Sequence, residues 1–157
     1  MAKEKYIFLD FDGVLRSASC DMLLTGHQDE EDYAPAFSSS AVMSLRLLVR
    51  ATGAGIVISS NWRHFGLGKM REMWRSRDLP GEIVGITPYL PNKNGIERGQ
   101  EILSWLKENG VENSPYVILD DRDNDLYPEQ RTRFIKVNYR WGLSLLNAWK
   151  AMRILRH

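Results

Sequence analysis

The stretch Tyr6–Leu15, "YIFLDFDGVL", decides how the rest of the chain is read. Its first half is continuously apolar, as expected of a strand covered on both faces of a parallel sheet. It then places two carboxylates, Asp10 and Asp12, two residues apart and beside Gly13. Ionised carboxylates that close repel one another. The arrangement therefore reads either as a solvated turn or as a site that uses both groups. Gly13 supplies the backbone freedom for a sharp turn in either case.

Outward from this stretch, the same grammar recurs. Strand candidates are "KYIFLD" (5–10), "GIVISS" (55–60), "EIVGIT" (82–87), "YVILDD" (116–121) and "FIKVN" (134–138). Between them run amphipathic patterns. Ser38–Ser40 caps a helix with Val42, Leu45, Leu48 and Val49 on one face, and a second starts near Gly66 with Leu67, Met70 and Trp74. A third spans roughly Gly95 to Asn109, and a last helix from about Gly142 is expected to bury some of Leu145, Leu146, Trp149 and Met152. Tryptophans and methionines in these helices read as core packing. Alternating strands and helices predict an α/β, Rossmann-like three-layer sandwich with a mainly parallel five-stranded sheet. The segment 16–37 carries the run "DEED" without clean periodicity and reads as a flap or short cap-like insertion.

With 157 residues, the chain fits a single domain, 1–157. Its net charge of +1 excludes a globally basic protein, so a polyanion surface would have to be local. Cys20 stands alone, which excludes an internal disulfide and a cysteine-based zinc site. No apolar run approaches the roughly 18 residues of a membrane span. The N-terminus runs into a strand after a few residues, leaving no room for a signal peptide, so a soluble cytoplasmic location is expected.

In parallel α/β sheets, ligands bind beyond the carboxyl ends of the strands. Three polar clusters follow strands here. Asp10 can attack phosphorus as a nucleophile, and a second carboxyl, Asp12, can move the proton of the leaving oxygen and of water. "YVILDDRDND" ends a strand in Asp120 and Asp121, followed by Asp123 and Asp125; such oxygens suit Mg2+, while the spacing lacks the glycine and glutamate of a calcium hand. "VISSNWRHF" offers Ser59, Ser60, Asn61 and Arg63 to phosphate oxygens, although the same residues alone are most often a helix cap. His64 reads as exposed or supporting, and His27 and His157 show no partner pattern.

These clusters, in this order and each after a strand, resemble the four motifs of the haloacid dehalogenase-like (HAD) superfamily across nearly the whole chain. The resemblance implies Asp10 as nucleophile and Asp12 as general acid/base, with the Asp12 backbone carbonyl also on Mg2+. It implies Ser59 at the phosphate-binding hydroxyl position and Mg2+ ligation by Asp10, Asp120 and Asp121, with Asp125 beyond them. The family's usual motif III lysine is replaced: Arg98, in "IERGQEILSWL", is the candidate, and Lys93 in "PNKNG" the alternative. "SSNWR", "ITPYLP", "RGQEILSWL" and "YVILDD" further resemble a small bacterial and phage subgroup related to the phosphatase domains of RNA-repair proteins, which carry minimal or no caps. The implied activity is a Mg2+-dependent phosphomonoester hydrolase working through an aspartyl-phosphate, with nucleotide or nucleic-acid terminal phosphates as the sharper substrate class. The rivals are a phosphate- or nucleic-acid-binding module on the same fold and a phosphotransferase. A basic rim of Arg63, Lys69, Arg71, Arg75 and Arg77 is diluted by Glu72 and Asp78 and reads as an ordinary solvated helix face.

Overall fold

The computed structural model describes residues 4–19, 36–90 and 95–157. Lys93 and most of the 16–37 insertion, residues 20–35, lie outside the described residues. Five strands form one sheet: β1 (Tyr6–Leu9), β2 (Gly55–Ile58), β3 (Ile83–Ile86), β4 (Tyr116–Asp120) and β5 (Phe134–Lys136). All neighbouring pairs are parallel and the order is β3-β2-β1-β4-β5. All five expected strands are present.

Alternation along β1 explains the three layers. Ile7 and Leu9 join Ala41, Leu45 and Leu48 of helix α1 (Ser39–Thr52), Met70 and Trp74 of α2 (Leu67–Ser76), and Ala148 and Ala151 of α4 (Leu145–Ile154). Tyr6 and Phe8 point the other way, onto Ile102, Trp105 and Leu106 of α3 (Glu97–Glu108). The Trp105 ring meets Tyr6 and Phe8 edge-on, with centroids 5.2 and 5.6 Å apart. On the opposite face, Trp74 stacks on Phe11 at 6.2 Å. These are the geometries aromatic quadrupoles favour.

Helix α4 meets the expectation only at Met152, which packs against the core. Its start is well specified, since Ser144 Oγ accepts from the Asn147 amide at 3.1 Å and Asn147 Oδ1 accepts from the Ser144 amide at 3.0 Å. Its core face, however, is made of Ala148, Ala151 and the following Leu155, while Leu145, Leu146 and Trp149 are exposed and Met152 is half-buried. Small residues let α4 lie close to α1, and the large apolar side chains are turned outward.

The strand order places a topological switch between β1 and β4: the chain builds β2 and β3 on one side of β1, then crosses to build β4 and β5 on the other. Register makes the strand ends level. Leu9 pairs with both Ile58 and Leu119, so Asp10, Ser59 and Asp120 emerge side by side. The Asp10 amide donates to Leu119 O at 3.1 Å and the Ser59 amide to Leu9 O at 3.0 Å, extending both ladders to the site itself.

Candidate active site

At this edge lies a cavity of about 100 Å³ lined by Asp10, Asp12, Asn61, Arg98 and the acidic loop after β4, including Asp120, Asp121 and Asp125. Larger clefts exist elsewhere, one of about 580 Å³ at the amino ends of β1 and β2, but its only charged residues are Glu4, Lys5 and Glu82 and it holds no comparable cluster. Chemistry, not size, singles out the small cavity.

Asp10 is buried and its Oδ1 accepts from the Phe11 amide at 2.9 Å. Asp120 is buried too: its Oδ1 accepts from the Arg122 amide at 3.1 Å, and its Oδ2 lies 3.4 Å from Arg98 Nε. Asp10, Asp120 and Asp121 each present a carboxylate oxygen within 4.8 Å of the others'. Three hard oxygen donors converging so closely could hold a metal cation, which would offset the repulsion among them.

Gly13 is what lets the acidic loops meet. Its φ is +82°, and a Cβ there would lie 2.6 Å from the Asp121 carboxyl. Gly99 does the same for Arg98: its amide donates to Asp125 O at 2.9 Å and its carbonyl accepts from Gln130 Nε2 at 2.9 Å. Any Cβ at Gly99 would collide with the Gln130 amide and the Tyr127 backbone. The start of α3 is thereby pressed onto the loop after β4, with Arg98 facing the carboxylates.

The electrostatics follow from burial. Desolvation pushes the Asp10 carboxyl up, against the pull of Arg98 and the Phe11 amide, with Asp121 and Asp12 adding to the rise. Burial pushes Asp120 up to about 8, and Asp10 adds to that while Arg98 opposes it. Burial works against the charge on Arg98, but Asp120 and Asp10 outweigh it and leave the guanidinium's pKa raised. Its Nη1 and the Asp125 Oδ1 are buried without hydrogen-bond partners among the described residues.

A pH prediction follows. The unfolded carboxyl of Asp120 loses its proton near pH 3.9, the folded one near 8, so between these values the native state holds a proton that the unfolded chain has released. Stability of the metal-free protein therefore falls as pH rises through this window. In EDTA the thermal midpoint is expected to drop by several degrees from about pH 5 to about pH 8, and Asp120→Asn to reduce that slope, with Asp10, which burial also pushes up, carrying the remainder. An equal slope in the variant would refute the assignment.

Asp12 is more exposed and held by two donors that its sequence position does not announce. Trp62 Nε1 donates to its Oδ2 at 3.2 Å, and Arg16 Nη1 lies 3.3 Å from its Oδ1. Ser59 is fully buried, and its hydroxyl has no hydrogen-bond partner among the described residues. Asn61 lines the cavity. Ser60 is instead a cap: its Oγ accepts from the Trp62 amide at 3.4 Å at the start of the 3₁₀ turn Asn61–Phe65. His64 is exposed, with Nδ1 2.8 Å from Asn61 O.

Arg63 corrects the sequence reading. Rather than reaching a phosphate, it is turned inward and buried. Its Nη2 pairs with Glu101 Oε2 at 2.7 Å, its Nη1 donates to Ser59 O and Ser60 O at 2.9 and 3.0 Å, and its Nε donates to Thr87 O at 2.9 Å. The Tyr89 ring covers it at 3.8 Å. Arg63 thus ties the loop after β2 to the loop after β3. Burial pushes its pKa down, and Glu101 is the main influence holding it charged. Glu101 escaped sequence reasoning, although a glutamate one turn before Trp105 on the buried face of α3 is a charge where the pattern calls for core. Of the rest of the suggested rim, Arg71 Nε donates to Ile83 O at 2.9 Å, Lys69 lies 3.5 Å from Glu72, and Arg77 lies over the Phe37 ring, while Arg75 is exposed.

The sequence profile of the HAD domain in Swiss Army Knife RNA repair proteins matches residues 6–148. Neither a curated protein nor a solved structure matches the chain. With the profile spanning nearly all of the sequence, the chain belongs to this family of HAD domains.

Proposed function

We propose that this HAD domain hydrolyses phosphomonoesters through an aspartyl-phosphate on Asp10, with the terminal phosphates of nucleotides or nucleic acids as its substrate class. The observation that carries the reading is the convergence of Asp10, Asp120 and Asp121 carboxylate oxygens within 4.8 Å, beside Arg98. Family membership supports hydrolase chemistry, and the RNA-repair context of the family supports the substrate class.

Asp10 attacks phosphorus with one carboxylate oxygen, forming the acyl-phosphate bond as the bond to the leaving oxygen breaks. Asp12 gives its proton to that oxygen. It then takes a proton from water, which attacks phosphorus and releases inorganic phosphate and free Asp10. Ser59, whose buried hydroxyl has no partner among the described residues, donates to a phosphoryl oxygen, and Asn61 lines the cavity. Arg98 neutralises phosphoryl charge as the family's lysine does, and its planar fork suits two oxygens at once. Asp10, Asp120 and Asp121, with the Asp12 carbonyl that the family pattern adds, would hold Mg2+, which when bound would supply charge neutralisation at the reacting phosphoryl group. The charge of Asp125, on the same cavity, favours the charged form of Arg98.

The test is hydrolysis of an aryl phosphate by the purified protein. Release of phosphate with Mg2+ and its loss in EDTA is the expected result. Phosphate or nucleic acid that binds without ever being turned over would favour the binding-module reading.

A further inference from the structure

The chain is nearly neutral as a whole, yet its charge is not evenly spread. From Arg131 to His157 the sequence carries seven lysines and arginines and no aspartate or glutamate. Three of its aromatic rings are among the most exposed of the described residues: Tyr139 and Trp149 are about half exposed, and Trp141 is 68% exposed. An apolar ring left in water next to cations serves no packing purpose in the described fold.

The structure arranges these groups as a track. At one end, Tyr139 lines a cavity of about 200 Å³ together with Asp12, Gly13, Arg16 and Asp121, so it borders the acidic site directly. The backbone of Tyr139 and Arg140 is fixed there by amides of Ala18 and Ser19 at 3.0 and 3.1 Å. From Trp141 the chain enters α4, whose outward face presents Leu145, Leu146, Trp149, Lys150 and Arg153 at one-turn spacing. The Arg153 guanidinium lies 5.0 Å from the Trp149 ring centroid. At the far end, Arg133, Lys150, Arg153 and His157 converge on a cleft of about 570 Å³ between α4 and the start of β5, with no acidic residue in its lining.

The geometry points to single-stranded nucleic acid as the ligand of this track, with phosphates on the cations and bases on the aromatic rings. This rests on the substrate class proposed above and deepens it: the strand lies along α4 and delivers its end past Tyr139. A cationic groove interleaved with exposed rings is the combination that binds single strands without regard to sequence. A duplex keeps its bases stacked on one another and has none to offer. The basic groups line a shallow, open cleft, and α4 has its inner face locked in the core, so it is not free to lie down in a lipid surface as an amphipathic helix.

The test uses Asp10→Asn protein in EDTA, so binding is read without turnover, by fluorescence anisotropy with a fluorescein-labelled single-stranded oligonucleotide. Lys150→Glu with Arg153→Glu is expected to weaken binding at least about tenfold and to flatten the salt dependence by roughly 0.7 per lost phosphate contact. Trp149→Ala is expected to weaken it by about fivefold or more. Lys69→Glu with Arg75→Glu on α2 serves as the charge-matched control and is expected to change affinity less than about twofold, with circular dichroism reporting the fold of each variant. Unchanged affinity in the α4 variant, an equal loss in the α2 control, or binding to phosphatidylserine–phosphatidylcholine vesicles but not to the oligonucleotide would each overturn the track. An aryl phosphatase that binds no strand would fail this inference alone. A strand-binding protein that releases no phosphate would instead fail the hydrolase reading.

Discussion

Asp10→Asn is expected to lower aryl phosphate turnover by at least about 10³-fold, a barrier increase of roughly 4 kcal/mol or more, without unfolding the protein. The amide keeps the shape and still accepts from the Phe11 amide, which holds Asp10 Oδ1 at 2.9 Å. What it loses is the nucleophilic oxygen. Because burial already works against a charge at this position, the neutral amide removes a repulsive partner of Asp120 and Asp121 rather than a structural support. The variant should therefore melt, in EDTA, no lower than the parent. A variant that loses activity only because it unfolds would not support the nucleophile assignment. Retained turnover would exclude it.

The second large effect lies away from the reacting atoms. Glu101→Gln leaves the Arg63 guanidinium buried without its counter-charge, and breaking a buried pair costs about 3–5 kcal/mol. For a chain of this size the thermal midpoint should fall by roughly 10 °C. Arg63→Met is expected to be at least as damaging, because the carbonyls of Ser59, Ser60 and Thr87 lose their donor along with Glu101. Combining Arg63→Met with Glu101→Leu should recover part of that loss, since no lone charge is then left in the interior. Turnover should suffer in each case, because the same guanidinium fixes the strand end that carries Ser59. A midpoint within about 2 °C of the parent for Glu101→Gln, under 1 kcal/mol, would contradict this role.

The two predictions mark what the sequence could and could not reveal. The five strands were readable because each is a short apolar run ending in polar residues, and the parallel register then brings Asp10, Ser59 and Asp120 level with little further choice. Local punctuation was readable as well: Gly13 had to turn, and at φ +82° it does. What resists reading is partnership across distance. Arg63 looks like a phosphate ligand because it follows a serine-rich strand end, and only Glu101, 38 residues on, shows that it faces inward. The Trp62 donor to Asp12 crosses 50 residues and leaves no spacing signal. In α4 the rule that large apolar side chains go inside failed because close packing against α1 selects Ala148 and Ala151, leaving Trp149 and its neighbours outside. Hydrophobicity says that a face exists; side-chain size decides which face can approach.

The proposed hydrolysis stands or falls on a covalent phosphoryl group on Asp10. Acid-quenching the Mg2+-loaded protein during turnover, reducing with borohydride and mapping peptides by mass spectrometry reads it directly, since an acyl phosphate is reduced to homoserine and a free carboxylate is not. Homoserine at position 10, absent from samples without substrate, is the result expected. Active protein with unmodified Asp10, and inversion rather than retention of configuration at a chiral phosphorus, would contradict it.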